Sequence, residues 1–259
     1  MAEYITVARS WNELNDWQLQ EIAHLYLNTP VEKFHEAYGR MILLVYQKEN
    51  TGKGFFNLHK LTQNVPISEL EKHTRYLKEK TDFYKFPEIP GLIKPSDRIG
   101  NITVRQFSTI DTFFYHWNKD RSLLNLKRLV ASLYRIKEKF DDLDLPEVDA
   151  ITRNIPVKKM EAIALAYLFT RHLISEEFPV VFTKPKEESE EEKKLKPVFT
   201  KKDKQFVPFD KIIIGMSMDE LQPLGNKQAV NEVRIYEFLS VLSESILYHK
   251  AKAKANEGK

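Results

Sequence analysis

The chain has 259 residues, of which 42% are hydrophobic and 12% aromatic, a composition typical of a folded protein rather than a disordered one. Forty Lys and Arg residues against 37 Asp and Glu leave a formal charge of +3, too small to indicate nucleic-acid or anionic-membrane binding by itself. There is no cysteine, which excludes disulfides and thiolate chemistry and fits a reducing cytoplasm. Only 8 glycines argue against glycine-loop nucleotide folds and turn-dense β architectures. We therefore predict a mostly α, multi-helix bundle with a single core.

Two helices are predicted near the N-terminus. Ser10 and Glu13 have the spacing of a capping box, which predicts a helix that runs to about Asn28. Thr29 and Pro30 predict the start of a second helix, which ends near residues 50–54. The short turn between them predicts an antiparallel pair. The inward-facing residues are Leu19, Ile22, Ala23 and Tyr26 in the first helix, and Phe34, Ala37, Tyr38, Met41 and Val45 in the second.

Two shorter helices and a long loop follow. Residues 55–64 resemble a short helix, and Ser68 has the position of a cap for another that reaches about Lys80. Prolines at 87, 90 and 95 are incompatible with a continuous element, so residues 82–101 are predicted to form a surface loop. An extended pair is predicted around residues 89–93.

Four helices are predicted between residues 103 and 178. Thr103 and Gln106 have capping-box spacing before a helix with a strong apolar face, and a second helix reaches about Lys137. A short helix covers residues 146–153. The fourth helix opens at Pro156 and has only apolar residues from 162 to 169, so it has no polar side over two turns. We predict that it is buried at the centre of the core, with the first two of these four helices packed against it.

Composition changes abruptly in residues 179–208, which contain prolines and the acidic tract 187–192. The segments 179–184 (PVVFTK) and 197–201 (PVFTK) are similar, and two alternatives stay open: an extended β-hairpin arm, or a linker. Ser217 predicts the start of a short helix, and a final amphipathic helix should fold back onto the core. The predicted parts are a helical core domain (1–178), a charged arm or linker (179–208), C-terminal helices packed on the core (209–250) and a basic, frayed tail (251–259).

The sharpest candidate for metal chemistry is a pair of Glu-x-x-His matches, Glu21 with His24 and Glu32 with His35. In di-iron bundles this spacing places both ligands on one inward face. Here the apolar stripes predict that all four residues point outward, so we interpret them as solvated surface residues. His172 is interpreted as a boundary histidine, and Gly52 to Gly54 as a turn rather than a phosphate loop. We predict no enzyme, no catalytic residue, no metal site and no cofactor.

Two further groups of charged residues have alternative interpretations. Asp111 lies beside an apolar helix face, where a buried carboxylate needs a partner; Arg128 or Arg135 is the predicted one. Residues 119–139 also carry seven cations, interleaved on the same helical hairpin with Tyr115, Trp117 and Tyr134, which would suit phosphate contacts and stacking. Lys127, Arg128 and Arg135 are the candidate nucleic-acid contacts of this alternative function.

Four stretches, in this order, resemble a diffuse group of bacteriophage tail-assembly and virion-morphogenesis proteins. They are residues 10–19 (SWNELNDWQL), residues 110–112 with 129–135 (IDT and LVASLYR), residues 153–157 with 167–169 (RNIPV and YLF), and residues 215–221 (GMSMDEL). The segments 184–204 and 47–95 depart from that group. The resemblance implies a non-enzymatic protein, with its role open among tail-assembly chaperone, connector and minor virion component.

The resemblance also implies the class of partner, and the arm is the predicted contact with it. The partners would be other phage structural or assembly proteins, with self-association left open and no membrane, in the host cytoplasm during assembly or in the virion. The arm is the predicted partner-binding element, because it is too polar for a core yet carries apolar side chains. These are Val180, Phe182, Val198, Phe199 and Phe206.

Overall fold

A computed structural model of the chain describes residues 7–79, 81–182, 208–219 and 222–257. These residues are mostly helical, as predicted, and within them there are twelve α-helices and no strand. The predicted β-hairpin arm lies outside them. The helices are α1 (Asp16–Asn28), α2 (Phe34–Gln47), α3 (Gly52–Asn64), α4 (Ile67–Glu71), α5 (Tyr76–Glu79), α6 (Val104–Asp120), α7 (Leu123–Leu133), α8 (Leu145–Thr152), α9 (Val157–Glu177), α10 (Phe209–Ser217), α11 (Lys227–Glu232) and α12 (Ile235–Glu257).

Tertiary contacts divide the chain into two compact units. The first contains the described residues of Met1–Pro87 together with Ile155–Thr170, and the second contains Glu88–Asn154 and the described residues from Arg171 onward. This division differs from the predicted boundaries, because residues 155–170 group with the N-terminal helices. The helix α9 therefore contributes its residues up to Thr170 to the first unit and the remainder to the second.

The first unit has an aromatic core around Trp11. The Trp11 side chain is fully buried, and its ring centroid lies 5.7 Å from that of Tyr26 and 5.4 Å from that of Phe169. Phe169 belongs to the apolar run of α9, in which Ala162 to Phe169 are all buried. The prediction of a buried, all-apolar helix is confirmed, since α9 supplies the centre of this core.

In the second unit, α6 packs against α7 and the C-terminal helices. Phe107 of α6 meets Phe209 of α10 with ring centroids 4.9 Å apart, and Phe209 meets Phe238 of α12 at 5.6 Å. Gln106, which was expected to cap its own helix, instead donates from Nε2 to the carbonyls of Ser132 and Leu133 at the end of α7. Only half of that predicted capping box forms, because the glutamine is used to join two helices.

Several predicted helix ends were wrong. The first helix begins after Asn15, whose side chain accepts a hydrogen bond from the Gln18 amide while Gln18 accepts one from the Asn15 amide; Ser10 makes no cap bond. The single helix predicted from Ser68 to Lys80 is two short ones, α4 and α5. Ser217 ends a helix rather than beginning one. That helix, α10, follows Pro208 and buries Phe209, Ile213 and Met216 at spacings of four and three residues.

Long-range backbone pairing accounts for two other differences. The helix α7 stops at Leu133 rather than Lys137, because Arg135 pairs with Ile93 through two backbone hydrogen bonds of 2.7 and 3.0 Å. Instead of the local extended pair predicted around residues 89–93, the described residues show an isolated bridge from Ile93 to Arg135. The predicted final helix is divided into α11 and α12, since the Val233 carbonyl accepts from the Val104 amide.

Candidate functional site

The first Glu-x-x-His copy faces α9 within the first unit, so its interpretation as solvated surface was wrong. His24 Nδ1 lies 2.6 Å from Glu161 Oε2, and Asn28 donates to Glu161 Oε1 at 2.8 Å. Glu21 accepts two bonds of 2.7 Å from Lys158. The Glu161 side chain is only 10% exposed. Each of its two oxygens contacts a protein group, His24 or Asn28. This cluster joins α1 to α9.

The second copy contributes nothing comparable, because Glu32 and His35 are exposed. Across the described ranges, no group of three or more His, Asp or Glu side chains has the arrangement of a metal site. In this structure the first copy forms a partly buried polar contact between two helices.

Asp111 is paired with Arg171, so the predicted partners Arg128 and Arg135 were wrong. Arg171 Nε lies 2.5 Å from Asp111 Oδ1, and the guanidinium carbon is 5.8 Å from the centre of the Phe114 ring. The Asp111 side chain is 7% exposed. Arg171 is the first residue of α9 that belongs to the second unit, and from this position its guanidinium reaches Asp111 on α6.

A shallow cleft in the second unit is lined by an aspartate and a histidine, and a serine outside the lining contacts the same aspartate. Ser245 donates to Asp219 Oδ2 at 3.0 Å, and His249 Nε2 lies 3.0 Å from the same oxygen. A serine nucleophile would need the histidine as its base. Here serine and histidine both contact the carboxylate, so this arrangement does not activate the hydroxyl. The cleft has a volume of about 470 Å³ and is lined by Met218, Asp219, His249, Lys252, Ala253 and Asn256.

The predicted arm residues are only partly within the described ranges. Val180 and Phe182 are half-buried in the turn that follows α9, where the Phe178 carbonyl accepts from the amides of Val181 and Phe182. Val198, Phe199 and Phe206 lie outside the described residues. The partner-binding hypothesis for the arm therefore stays a prediction.

The candidate nucleic-acid residues do not share one exposed surface. Arg128 is exposed and Lys127 is half-buried on α7, but Arg135 is buried and donates to the Glu138 carbonyl at 2.6 Å. Burial lowers the pKa of Arg135 from its ordinary value. Two of the interleaved aromatic residues, Trp117 and Tyr134, are buried as well. Residues 119–139 thus keep cations at the surface without most of the proposed stacking partners.

Two exposed surfaces were missed by sequence reasoning. The last turns of α12 are exposed from Leu247 to Asn256, where a frayed tail was predicted from residue 251. Alternating alanines and lysines in this segment are strong helix formers, and this composition could have predicted that the helix continues. The other surface is the outer face of α3, where Phe55 and Phe56 are 56% and 67% exposed. Its glycines had indicated a turn.

In the described parts of the chain, no helix has the length and apolar character needed to cross a membrane. Comparison of the chain with protein-family models, with curated proteins and with solved structures finds no match.

Proposed function

We propose that the protein acts through protein–protein contacts in the assembly of a phage particle. The observation that supports this proposal best is the exposed end of α12. This helix has 23 residues; it buries Ile235, Phe238, Leu239 and Leu242 and then continues with every side chain from Leu247 to Asn256 exposed. This segment is about 15 Å long, and it contacts the rest of the unit on the side of His249, which meets Asp219 at 3.0 Å. The exposed apolar residues Leu247, Ala251 and Ala255 are therefore available to a partner.

The exposed end of α12 has two chemically different faces. His249, Lys252, Ala253 and Asn256 line the cleft beside Met218 and Asp219. Leu247, Ala251 and Ala255 recur every four residues on the other side and form an apolar stripe. Small alanine side chains allow a partner helix to approach closely, and Leu247 and Tyr248, which are 46% and 50% exposed, would supply buried area.

The role within assembly follows from the sequence resemblance and remains at the level of tail-assembly chaperone, connector or minor virion component. The partners would be other phage structural or assembly proteins, or further copies of this chain. The arm at residues 179–208 is a second contact element in this proposal. Mass spectrometry of purified particles distinguishes a virion component from an assembly factor that stays in the host cytoplasm.

The test is co-purification of the tagged chain with the products of the reading frames beside its own. Ala251→Glu places a charge in the apolar stripe, and we expect it to remove the captured partner. Asn256→Glu adds the same charge on the opposite face of the same helix and should leave capture unchanged. Both substitutions are compatible with helix, so equal far-UV circular dichroism shows that folding is retained.

Deletion of residues 179–208 is the second variant of the test. We expect it to leave helicity intact and to abolish or weaken capture. If neither Ala251→Glu nor the deletion changes capture of any partner, the proposed function is wrong.

A further inference from the structure

The helix α3 carries the most exposed phenylalanines among the described residues. It has 13 residues and buries only Gly54, while Phe55 and Phe56 point their rings to solvent. Exposed aromatic pairs on a surface helix lose favourable burial and are unusual without a ligand.

Local structure holds this face outward. The less exposed residues of α3, together with the residue that follows it, recur at helical spacing and form the inner side: Gly54, Leu58, Leu61, Thr62 and Val65. Thr51 Oγ1 accepts from the Gly54 amide at 3.1 Å, and a side chain at position 54 would collide with the Glu49 carbonyl oxygen. Rotation of the helix to bury the rings would bring a residue that carries a Cβ against residue 49 in place of Gly54, and would turn His59 inward. Phe55 and Phe56 therefore remain on the outer face.

The outer face combines the two rings with positive charge. Lys53 and Lys60 lie three residues before and four residues after Phe56, and His59 lies four residues after Phe55. All five side chains are exposed. No Asp or Glu occurs from residue 50 to residue 68. A ligand for this face is thus expected to be anionic and to offer flat apolar surfaces.

We propose that the outer face of α3 binds single-stranded nucleic acid. Unpaired bases stack on exposed Phe rings, and lysines one turn away contact the phosphates. The amide side chain of Gln63 lies on the same face beside His59, with Nε2 3.0 Å from His59 Nε2, and can reach base edges. This site is separate from the α12 stripe and does not depend on the protein–protein contacts proposed above.

Other occupants fit the same face less well. In a symmetric contact between two copies, Lys53 and Lys60 would meet like charges. The core of a protein interface is depleted of lysine and other charged residues. On α3 polar residues follow immediately after Phe56, so the two rings lack the apolar surroundings of such a core. Insertion into an anionic bilayer would desolvate His59, which lies between the two rings around the helix.

The experiment measures fluorescence anisotropy of labelled oligo(dT) and oligo(rU) with the full chain, between about 50 and about 200 mM salt. We expect binding that weakens with salt. Phe55→Ala with Phe56→Ala should weaken it about 10-fold or more, because stacking contributes roughly 1–3 kcal/mol per base. Phe55→Trp with Phe56→Trp should retain it. Lys53→Gln with Lys60→Gln should reduce the slope of log affinity against log salt by about 1.4, since each phosphate contact contributes about 0.7.

Two matched controls locate the site. Leu123→Ala with Leu124→Ala removes another adjacent pair of exposed apolar side chains, and we expect no change in affinity. Lys127→Gln with Arg128→Gln neutralises two cations on α7 and tests the alternative surface within residues 119–139. If this α7 variant loses binding and the α3 variants do not, the assignment to α3 is overturned.

Two more outcomes also overturn the proposal. One is an absence of anisotropy change at roughly 100 µM protein, the weak limit of non-specific binding. The other is co-sedimentation with phosphatidylglycerol vesicles that depends on Phe55 and Phe56 while the oligonucleotides do not bind, which would identify a lipid surface as the ligand.

Discussion

At the scale of single residues, two copies of one spacing have different surroundings and therefore different roles. His24 contacts the carboxylate of Glu161, which is 10% exposed, whereas His35 is at the surface. A buried carboxylate loses hydration on folding, and each donor that contacts it offsets part of that cost. The contribution of a histidine here depends on its acceptor rather than on the motif.

We predict that His24→Ala lowers the free energy of unfolding by about 1–2 kcal/mol, because Glu161 loses one of its two donors. The matched variant His35→Ala removes the same side chain from the surface and should change stability by no more than about 0.5 kcal/mol. Urea unfolding followed by circular dichroism measures both. Equal effects of the two substitutions would contradict the structural role given to the His24 contact.

Because the Tyr26 side chain is buried, we expect it to lower the stability of the folded protein at alkaline pH. Burial raises the pKa of Tyr26 to about 12, while the unfolded phenol ionises near its ordinary value of about 10. The unfolded state therefore loses this proton first as pH rises. The stability that the neutral phenol contributes is fully present below about pH 10 and is lost progressively up to about pH 12, by roughly 2–3 kcal/mol.

The variant Tyr26→Phe cannot ionise at this position, so we expect its unfolding free energy to fall less steeply between about pH 10 and about pH 12. Urea midpoints across this range measure the difference in slope between variant and parent. The same slope in both proteins would show that Tyr26 does not titrate late in the folded state.

At the scale of elements, the close approach of Gly54 to the backbone of residue 49 decides the position of α3. Gly54 lies against the Glu49 carbonyl, so α3 packs closely on the connection, residues 48–51, that joins it to α2. Gly39, in the middle of α2, has nothing within 4 Å of the position that a Cβ would occupy. The two helical glycines therefore have opposite significance for stability.

We predict that Gly54→Ala destabilises the protein by about 1–3 kcal/mol, because the new methyl group overlaps backbone that cannot easily move. Gly39→Ala should instead stabilise it by about 0.4–1 kcal/mol, since alanine loses less conformational entropy in a helix. Thermal unfolding of the two variants gives the sign directly. A stabilising effect of Gly54→Ala would contradict the close approach of α3 to residue 49.

At the scale of the whole molecule, the two units are interleaved along the chain. The core of the first unit needs residues 155–170, which follow more than sixty residues that belong to the second. Phe169, for example, contacts both Trp11 and Tyr26. A break in the chain before residue 155 therefore removes the centre of the first unit rather than a peripheral element.

We predict that a chain ending at residue 154 loses the near-UV circular dichroism of buried Trp11 and Tyr26 and binds a hydrophobic dye. A chain ending at residue 178 contains every described residue of the first unit and should keep that near-UV signal. Far-UV spectra of both fragments report whether helices persist. A native-like near-UV spectrum of the shorter fragment would show that α9 is dispensable for this core.

The sequence by itself determined the helical class, most helices and the burial of residues 162–169, because apolar periodicity and local capping are short-range properties. It did not determine which helix supplies the partner of Asp111, or that α1 presents His24 to α9. Those contacts depend on where distant segments meet, and the spacing within one segment carries no information about that.

Only the tertiary structure decided where several helices stop and which faces stay exposed. Backbone pairing of Arg135 with Ile93 ends α7, and the approach of Gly54 to Glu49 fixes the outward face of α3. A helix pattern is the same whether its apolar residues are covered or not, so exposure of Phe55 and Leu247 became visible only once the rest of the chain was in place.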